Sequence, residues 1–224
     1  MHKVLDFIKK NKQFSFFLLL VILLALITIF APVIAPQDPY VSDLKNALQP
    51  PSSAHWFGTD KLGRDIFSRV IYASRSSLPA TLILVVLIFA IGTLLGTLAG
   101  YFGGWIDAVI MRISDMMISF PGMVLAIAVA GIMGASVKNA VIAVAVVSWP
   151  KYARLARSLV MKIRHEDYIY AAIVTGSKTS YILRKYMLPN IIPTLIITAA
   201  TDIGGMMLEL AGLSFLGFGA KAPA

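Results

Sequence analysis

The chain has 224 residues, of which 58% are hydrophobic and only 14% charged, and its mean hydropathy is +0.80. That is too apolar for a water-soluble domain. It contains no cysteine, which excludes a disulfide framework and a thiolate metal site, and its 20 bases against 11 acids fit residues flanking membrane spans better than a nucleic-acid surface.

A helix crossing the roughly 30 Å hydrocarbon core of a bilayer needs about 20 mostly apolar residues. The first such run is uncharged over 13–37 and follows Lys3, Lys9, Lys10 and Lys12. It is too long for a signal-peptide core, and the prolines of "APVIAPQDP" make a poor cleavage site. It reads as a retained first span over 14–34, after an N-terminal segment 1–13. The segment 35–77 is the one sizeable water-exposed piece and is too short for an independent domain. Its end, within "HWFGTDKLGRDIFSRVIYASRSS", is expected to form an interfacial amphipathic helix. Ile66, Val70 and Ile71 would face lipid, and Arg64, Arg69 and Arg75 water.

The uncharged window 76–106 holds the second span, over 78–101. Gly92, Gly96, Gly100 and Gly104 recur every four residues along it and are expected to share one face, where a neighbouring backbone can approach closely. Static helix packing explains that stripe, with a sliding surface as the functional alternative. The third span is placed over 115–134, with Pro121 and Gly122 near its start. The fourth has only twelve uncharged residues, 139–150. It must continue past Pro150 with Lys151, Arg154 and Arg157 snorkelling to water. The fifth runs over 190–213 and contains Asp202 and Glu209. The stretch 214–224 ends in "GFGAKAPA" and reads as if a further span were missing.

Orientation follows from the bases. With the N-terminus inside, segments 1–13, 102–114 and 151–187 hold thirteen Lys and Arg, and segments 35–77, 135–139 and 214–224 hold seven. The positive-inside bias favours this arrangement, which puts 151–187 in the cytoplasm.

Chemical motifs are sparse. "TGSKTS" resembles part of a phosphate loop, but Ser177 separates Gly176 from Lys178 and the first glycine is absent, so ATP binding by this chain is rejected. Asp202 and Glu209 lie two helical turns apart. Intramembrane carboxylates usually face a wet cavity or a partner, so both are candidates for a translocation path, with Met206 and Met207 beside them. Thioethers are soft metal ligands, yet methionine is more often packing filler. His55 and His165 lack metal-site spacing and receive no site. No nucleophile–base–acid set is visible, so no enzymatic activity is expected.

The stretch "YAAIVTGSKTSYILRKYMLPN" sits between apolar runs and carries Lys178, Arg184 and Lys185. It reads as one or two short helices along the membrane surface, with Ala171, Ala172 and Gly176 keeping one face bare for another protein, until Leu188-Pro189 ends it. It resembles the "EAA" loop of bacterial ABC-importer permeases: E-A-A, three residues, Gly, nine residues, Ile, one residue, Leu-Pro. Tyr170, Ala171, Ala172, Gly176, Tyr186, Leu188 and Pro189 hold those positions. Tyr170 stands in place of Glu, so no capping or salt-bridge role carries over there, and Tyr186 stands in place of Ile. "HWFGTDKLGRDIFSR" and "LSFLGFG" resemble segments of the C-type permeases for dipeptides, oligopeptides and nickel, as does "FAPVIAPQDPY".

The resemblance implies an all-α polytopic membrane bundle of the type I ABC importer permease fold. Five spans are present here and a sixth is expected. It implies a multi-pass bacterial inner-membrane subunit, paired with a B-type permease, docking two ATPases through the loop and receiving cargo from an external binding protein. ATP would be used by those partners, and this chain would bind no cofactor. The last span resembles nickel and metal-chelate members more than dipeptide ones. The competing reading is an ion-coupled secondary transporter using Asp202 and Glu209, in which inverted repeats are expected, and none is convincing. A receptor-like anchor presenting 36–77 would not need five spans.

Overall fold

The computed structural model describes residues 10–219. Regular structure there is helical, apart from one isolated β-bridge between Thr59 and Asp65. The expectations for 1–9 and 220–224 lie outside the described residues. The described residues divide into two compact units, one up to Pro79 and one from Ala80.

In the first unit, helix α1 (Lys12–Ile34) is apolar on every side, and only Ala31 is buried. An all-round apolar helix that protein does not cover suits lipid. Its 23 residues extend about 34 Å at 1.5 Å per residue, enough to cross. A single 3-10 turn, Leu44–Asn46, follows. Helix α2 (Ile66–Phe102) then starts far earlier than 78 and runs without a break. The expected interfacial helix is therefore the first part of α2. Of its three supposed lipid-facing residues, Val70 is exposed while Ile71 is buried. The reason is local: Asp65 caps the helix, accepting from the Ser68 amide at 2.7 Å, so α2 begins at Ile66.

In the second unit α2 is followed by α3 (Gly104–Ile118), α4 (Gly122–Met133), α5 (Val137–Arg164), α6 (Asp167–Val174), α7 (Thr179–Ile182), a π turn (Leu183–Met187) and α8 (Leu188–Phe215). The third span expected over 115–134 is two helices bent by 92°. Pro121 cannot donate to the ladder and pushes Phe120 out of helical geometry, so α3 ends before it and α4 starts after it. Ser136 caps α5 by accepting from the Asn139 amide at 3.1 Å. The Asn139 side chain in turn donates to the carbonyls of Met133 and Gly134, joining the end of α4 to the start of α5.

Among the described residues three helical runs are long and apolar enough to cross a membrane: Lys12–Ile34, Ile66–Phe102 and Thr179–Phe215, with a fourth if the bent pair counts as one. The expected fourth span lies in α5, which does not qualify by composition. Its burial explains why: twelve of its 28 residues are covered by protein, including Tyr152, Ala153, Ala156 and Val160 at 0% exposure. A helix surrounded by other helices does not need a lipid-compatible surface. The fifth span likewise begins earlier than 190, because α7, the π turn and α8 form one continuous run. Leu188-Pro189 starts α8 and does not end the preceding segment. Pro189 has no N–H for the carbonyl four residues back, and the wider π turn lies where that bond is missing.

Gly92, Gly96 and Gly100 form the seam between α2 and α5. A Cβ added to Gly92 would meet the Tyr152 side chain and, at 2.7 Å, the Trp149 carbonyl. One on Gly96 would fall on the Ala153 carbonyl and 2.8 Å from the Ala156 Cβ, and one on Gly100 would stand 2.8 Å from the Arg157 carbonyl. Gly104 is not part of that stripe. Helix α2 ends at Phe102, and Gly103 and Gly104 take φ of +65° and +54° to turn the chain into α3.

Candidate functional site

The stretch around Tyr170 folds as helix, turn, helix. Helix α6 ends at Val174 with Thr175 as its C-cap, and there the Gly176 amide donates to the Ile173 carbonyl (2.9 Å) and the Ser177 amide to the Ala172 carbonyl (3.0 Å). This is the Schellman closure of a helix, which requires a left-handed residue after the cap. Gly176 supplies it at φ +77°, with nothing within 4 Å of an added Cβ. Its role is to turn the chain, and bareness is a by-product.

The expected small-residue face is accordingly corrected. Ala172 is buried with Ile169, which is 0% exposed, and both belong to the core that includes Val160, Ile182, Met187 and Ile191. The face turned outward carries Ala171, Tyr170, Ile173 and Val174, the last 85% exposed. Helix α6 therefore presents an apolar and aromatic surface and is wedged into the body by Ile169 and Ala172. Tyr170, in the Glu position of the pattern, meets His165 instead, with its hydroxyl 3.0 Å from Nδ1. Tyr186 is half-buried and packs against the core, Leu188 is half-buried and Pro189 exposed.

Further along, Asp202 is already engaged. Lys151 Nζ donates to both of its carboxylate oxygens at 2.7 Å, and the Tyr152 hydroxyl donates to Oδ2 at 3.0 Å. Asp202 thus ties α8 to α5. Met206 is buried in the core beside Leu210 and Leu213, Met207 is half-buried, and Glu209 is exposed.

The cations expected to snorkel are paired as well. Arg157 donates to both oxygens of Asp107 at 2.5 Å, and Arg154 donates to Asp115 at 2.6 Å and to the Ser114 hydroxyl at 3.3 Å. With Lys151–Asp202 these pairs form a ladder, in which one face of α5 grips α3 and α8. Asp107 and Asp115 were passed over in the sequence. The available signal was the three-residue spacing of Lys151, Arg154 and Arg157, which puts them along one side of a helix.

The outer segment holds a second polar cluster. Asp65 is 2% exposed, and its carboxylate faces His55 Nδ1 at 3.0 Å. Asp60 accepts from the amides of Leu62 (2.8 Å) and Arg64 (3.0 Å) and from Arg64 Nε (2.8 Å), with Arg69 Nε at 3.7 Å. Thr59 accepts from the Gln49 amide at 2.8 Å and donates to the Asn46 carbonyl at 2.5 Å. "HWFGTDKLGRD" is thus a hydrogen-bonded loop clamped onto 46–49, with its Arg64 and, from α2, Arg69 gathered on Asp60. Burial works to raise the Asp65 carboxyl, but hydrogen bonds from the Ser68 hydroxyl and amide and from His55 hold it below its ordinary 3.8. At Asp60, too, burial is outweighed by the bonds from Arg64 and Leu62.

The family model described as binding-protein-dependent transport system inner membrane component matches residues 92–223, and the one described as N-terminal TM domain of oligopeptide transport permease C matches 2–51. The dipeptide transport system permease protein DppC of Alkalihalophilus pseudofirmus is 44% identical over 216 residues, 96% of this chain and 71% of that protein. The nickel transport system permease protein NikC of Escherichia coli is 39% identical over 206 residues, 92% of this chain and 74% of that protein. The glutathione transport system permease protein GsiD of Pectobacterium atrosepticum is 43% identical over 206 residues, 92% and 68% of the two. A chain of the MetNI methionine ABC transporter, solved in inward-facing conformations, matches with a TM-score of 0.54 at 20% identity over 65% of this chain and 73% of that one.

The fold is that of a type I ABC-transporter permease. The chain belongs to the binding-protein-dependent transport system inner membrane component family. It is a permease subunit of an ABC importer, a transport component and not an enzyme.

Proposed function

We propose that this chain forms half of a heterodimeric translocation pore with a B-type permease, its N-terminus in the cytoplasm, and that α6 is the element held by a partner ATPase. The observation that carries the reading is the exposed apolar face of α6, anchored by fully buried Ile169 and closed by Gly176. ATP binding and hydrolysis belong to the two ATPases. When they close, α6 moves with its holder. The buried side chains Ile169, Ala172, Ile182 and Met187 pass that displacement to α5 and to the continuous run through α8, and the Asp202–Lys151 bridge keeps those two helices together. Only interactions that differ between the two states drive such a switch.

The cargo follows the relatives' stated substrates: dipeptides, nickel and glutathione. Dipeptide-type relatives stand at 40% to 45% identity against 39% for the nickel protein, and on the higher of these we infer a peptide-sized cargo handed over by an external binding protein. The leaning to nickel drawn from the last span is not favoured by that ordering. The secondary-transporter reading is weakened because Asp202 is occupied by Lys151 and Tyr152.

The test is co-purification of the partner ATPases with the full chain. Gly176→Val should abolish it, because a β-branched residue at φ +77° reopens the helix end. Gly176→Asn should largely retain it, since asparagine tolerates this backbone. Val174→Glu should abolish it by charging the docking face. Normal assembly in both Gly176→Val and Val174→Glu refutes the docking assignment. Uptake that follows an ion gradient, unaffected by ATP depletion, refutes the importer mechanism.

A further inference from the structure

A shallow concavity of about 690 Å3 lies along Ser177, Lys178, Ser180, Tyr181, Arg184 and Lys185. Three of these six side chains are cations and the other three bear hydroxyls. None of the ion pairs among the described residues engages Lys178, Arg184 or Lys185. Lys185 meets the Tyr181 hydroxyl at 2.5 Å and lies 4.9 Å over that ring. This contrasts with α5, where Lys151, Arg154 and Arg157 each have an acid.

The concavity shares Ser180 and Arg184 with an apolar groove of about 190 Å3, whose walls are Leu94, Thr97 and Leu98 of α2 with Leu183 and Leu188. A cationic, hydroxyl-lined mouth thus continues into a greasy trough between two membrane-type helices. The matching ligand is anionic at one end and alkyl beyond it. A free phosphate would leave the trough unused. A zwitterionic lipid would bring its own cation against Lys178, Arg184 and Lys185. Basic pockets between spans on the cytoplasmic side recognise anionic headgroups, and anionic leaflets attract such clusters.

We propose that Lys178, Arg184 and Lys185, with the Leu94–Leu98–Leu188 trough, bind one anionic phospholipid of the inner leaflet. The headgroup phosphate sits at the mouth and an acyl chain lies along the trough. The lipid would hold the turn after α6 against the membrane face. The proposal depends on the functional reading only for the inner placement of 178–185. Failure of the Gly176 and Val174 docking test leaves it standing, because no ATPase enters the experiment below.

The experiment is native mass spectrometry of the purified full chain in mild detergent with equimolar phosphatidylglycerol and phosphatidylcholine of the same acyl chains. The chain should retain one phosphatidylglycerol with about tenfold preference. The triple variant Lys178→Gln, Arg184→Gln, Lys185→Gln should lose that preference. The charge-conserving triple Lys178→Arg, Arg184→Lys, Lys185→Arg should keep it, which separates binding from misfolding. Leu94→Trp, at an exposed position that tolerates bulk, should reduce retention by filling the trough. Equal retention of the two lipids, or a preference that survives the glutamine triple, overturns the proposal. So does retention unchanged by Leu94→Trp, or displacement of phosphatidylglycerol by millimolar inorganic phosphate, which would mark a free-phosphate site.

Discussion

Replacing Gly96 by alanine should destabilise this protein, although alanine is the better helix former by about 1 kcal/mol. The new Cβ would fall on the Ala153 carbonyl oxygen and 2.8 Å from the Ala156 Cβ. Ordinary contact begins near 3.4 Å, so the second clash alone requires α2 and α5 to part by about 0.6 Å. The carbonyl belongs to helix backbone and cannot rotate aside. Overpacking of this kind costs about 1–3 kcal/mol, which leaves a net loss of up to about 2 kcal/mol after the propensity gain. Gly204, in α8, has nothing within 4 Å of an added Cβ, so alanine there should gain about 0.5–1 kcal/mol. Thermal unfolding of the full chain in detergent, followed by tryptophan fluorescence, reads both. For a chain of this size Gly96→Ala should lower Tm by roughly 4 °C and Gly204→Ala raise it by roughly 2 °C. If Gly96→Ala raises Tm, as the propensity gain alone would, the close approach of α2 to α5 is wrong.

The remaining predictions concern charges. Asp202→Lys alone should impair uptake and lower Tm, because it sets two cations side by side, and the exchange Lys151→Asp with Asp202→Lys should restore most of both; no rescue would mean the pair is incidental. Asp65→Ala should loosen the outer loop by about 1 kcal/mol through its lost helix cap, seen as faster hydrogen exchange over 55–68 with the rest of the chain unaffected. Asp60 and Asp65 are held below 3.8, so their contribution is full above that value and is lost as pH falls through the lowered ones. Loop protection should therefore persist at pH 5 and fall only below about pH 4; loss already at pH 5 would contradict the arrangement. Gly58→Ala should disrupt the same loop more strongly, because φ is +74° and the added carbon overlaps the Gln49 carbonyl.

Much was legible from spacing within one segment. The uncharged run 13–37 defined a lipid-suited helix, since charge and length alone decide whether a helix can cross. Glycines every four residues marked a close-packed face of α2. The spacing Ala171, Ala172, Gly176, Leu188, Pro189 located the helix–turn–helix and the family. The first follows from run length, the second from the helix's own period and the third from resemblance to a family pattern, and none needs knowledge of neighbours.

What the tertiary structure decided depends on partners distant in the chain. The ladder of Lys151, Arg154 and Arg157 looked like a solvated edge, because Asp202, Asp115 and Asp107 are 39 to 51 residues away. The weak apolarity of α5 argued for a poor span, yet it is the most enclosed helix, and protein rather than lipid sets what its surface must be. Ala172 and Gly176 looked equivalent as small residues, but one is small because it is buried and the other because its backbone is left-handed. Composition records how apolar a residue is. Only the packed fold determines which neighbour makes that property favourable.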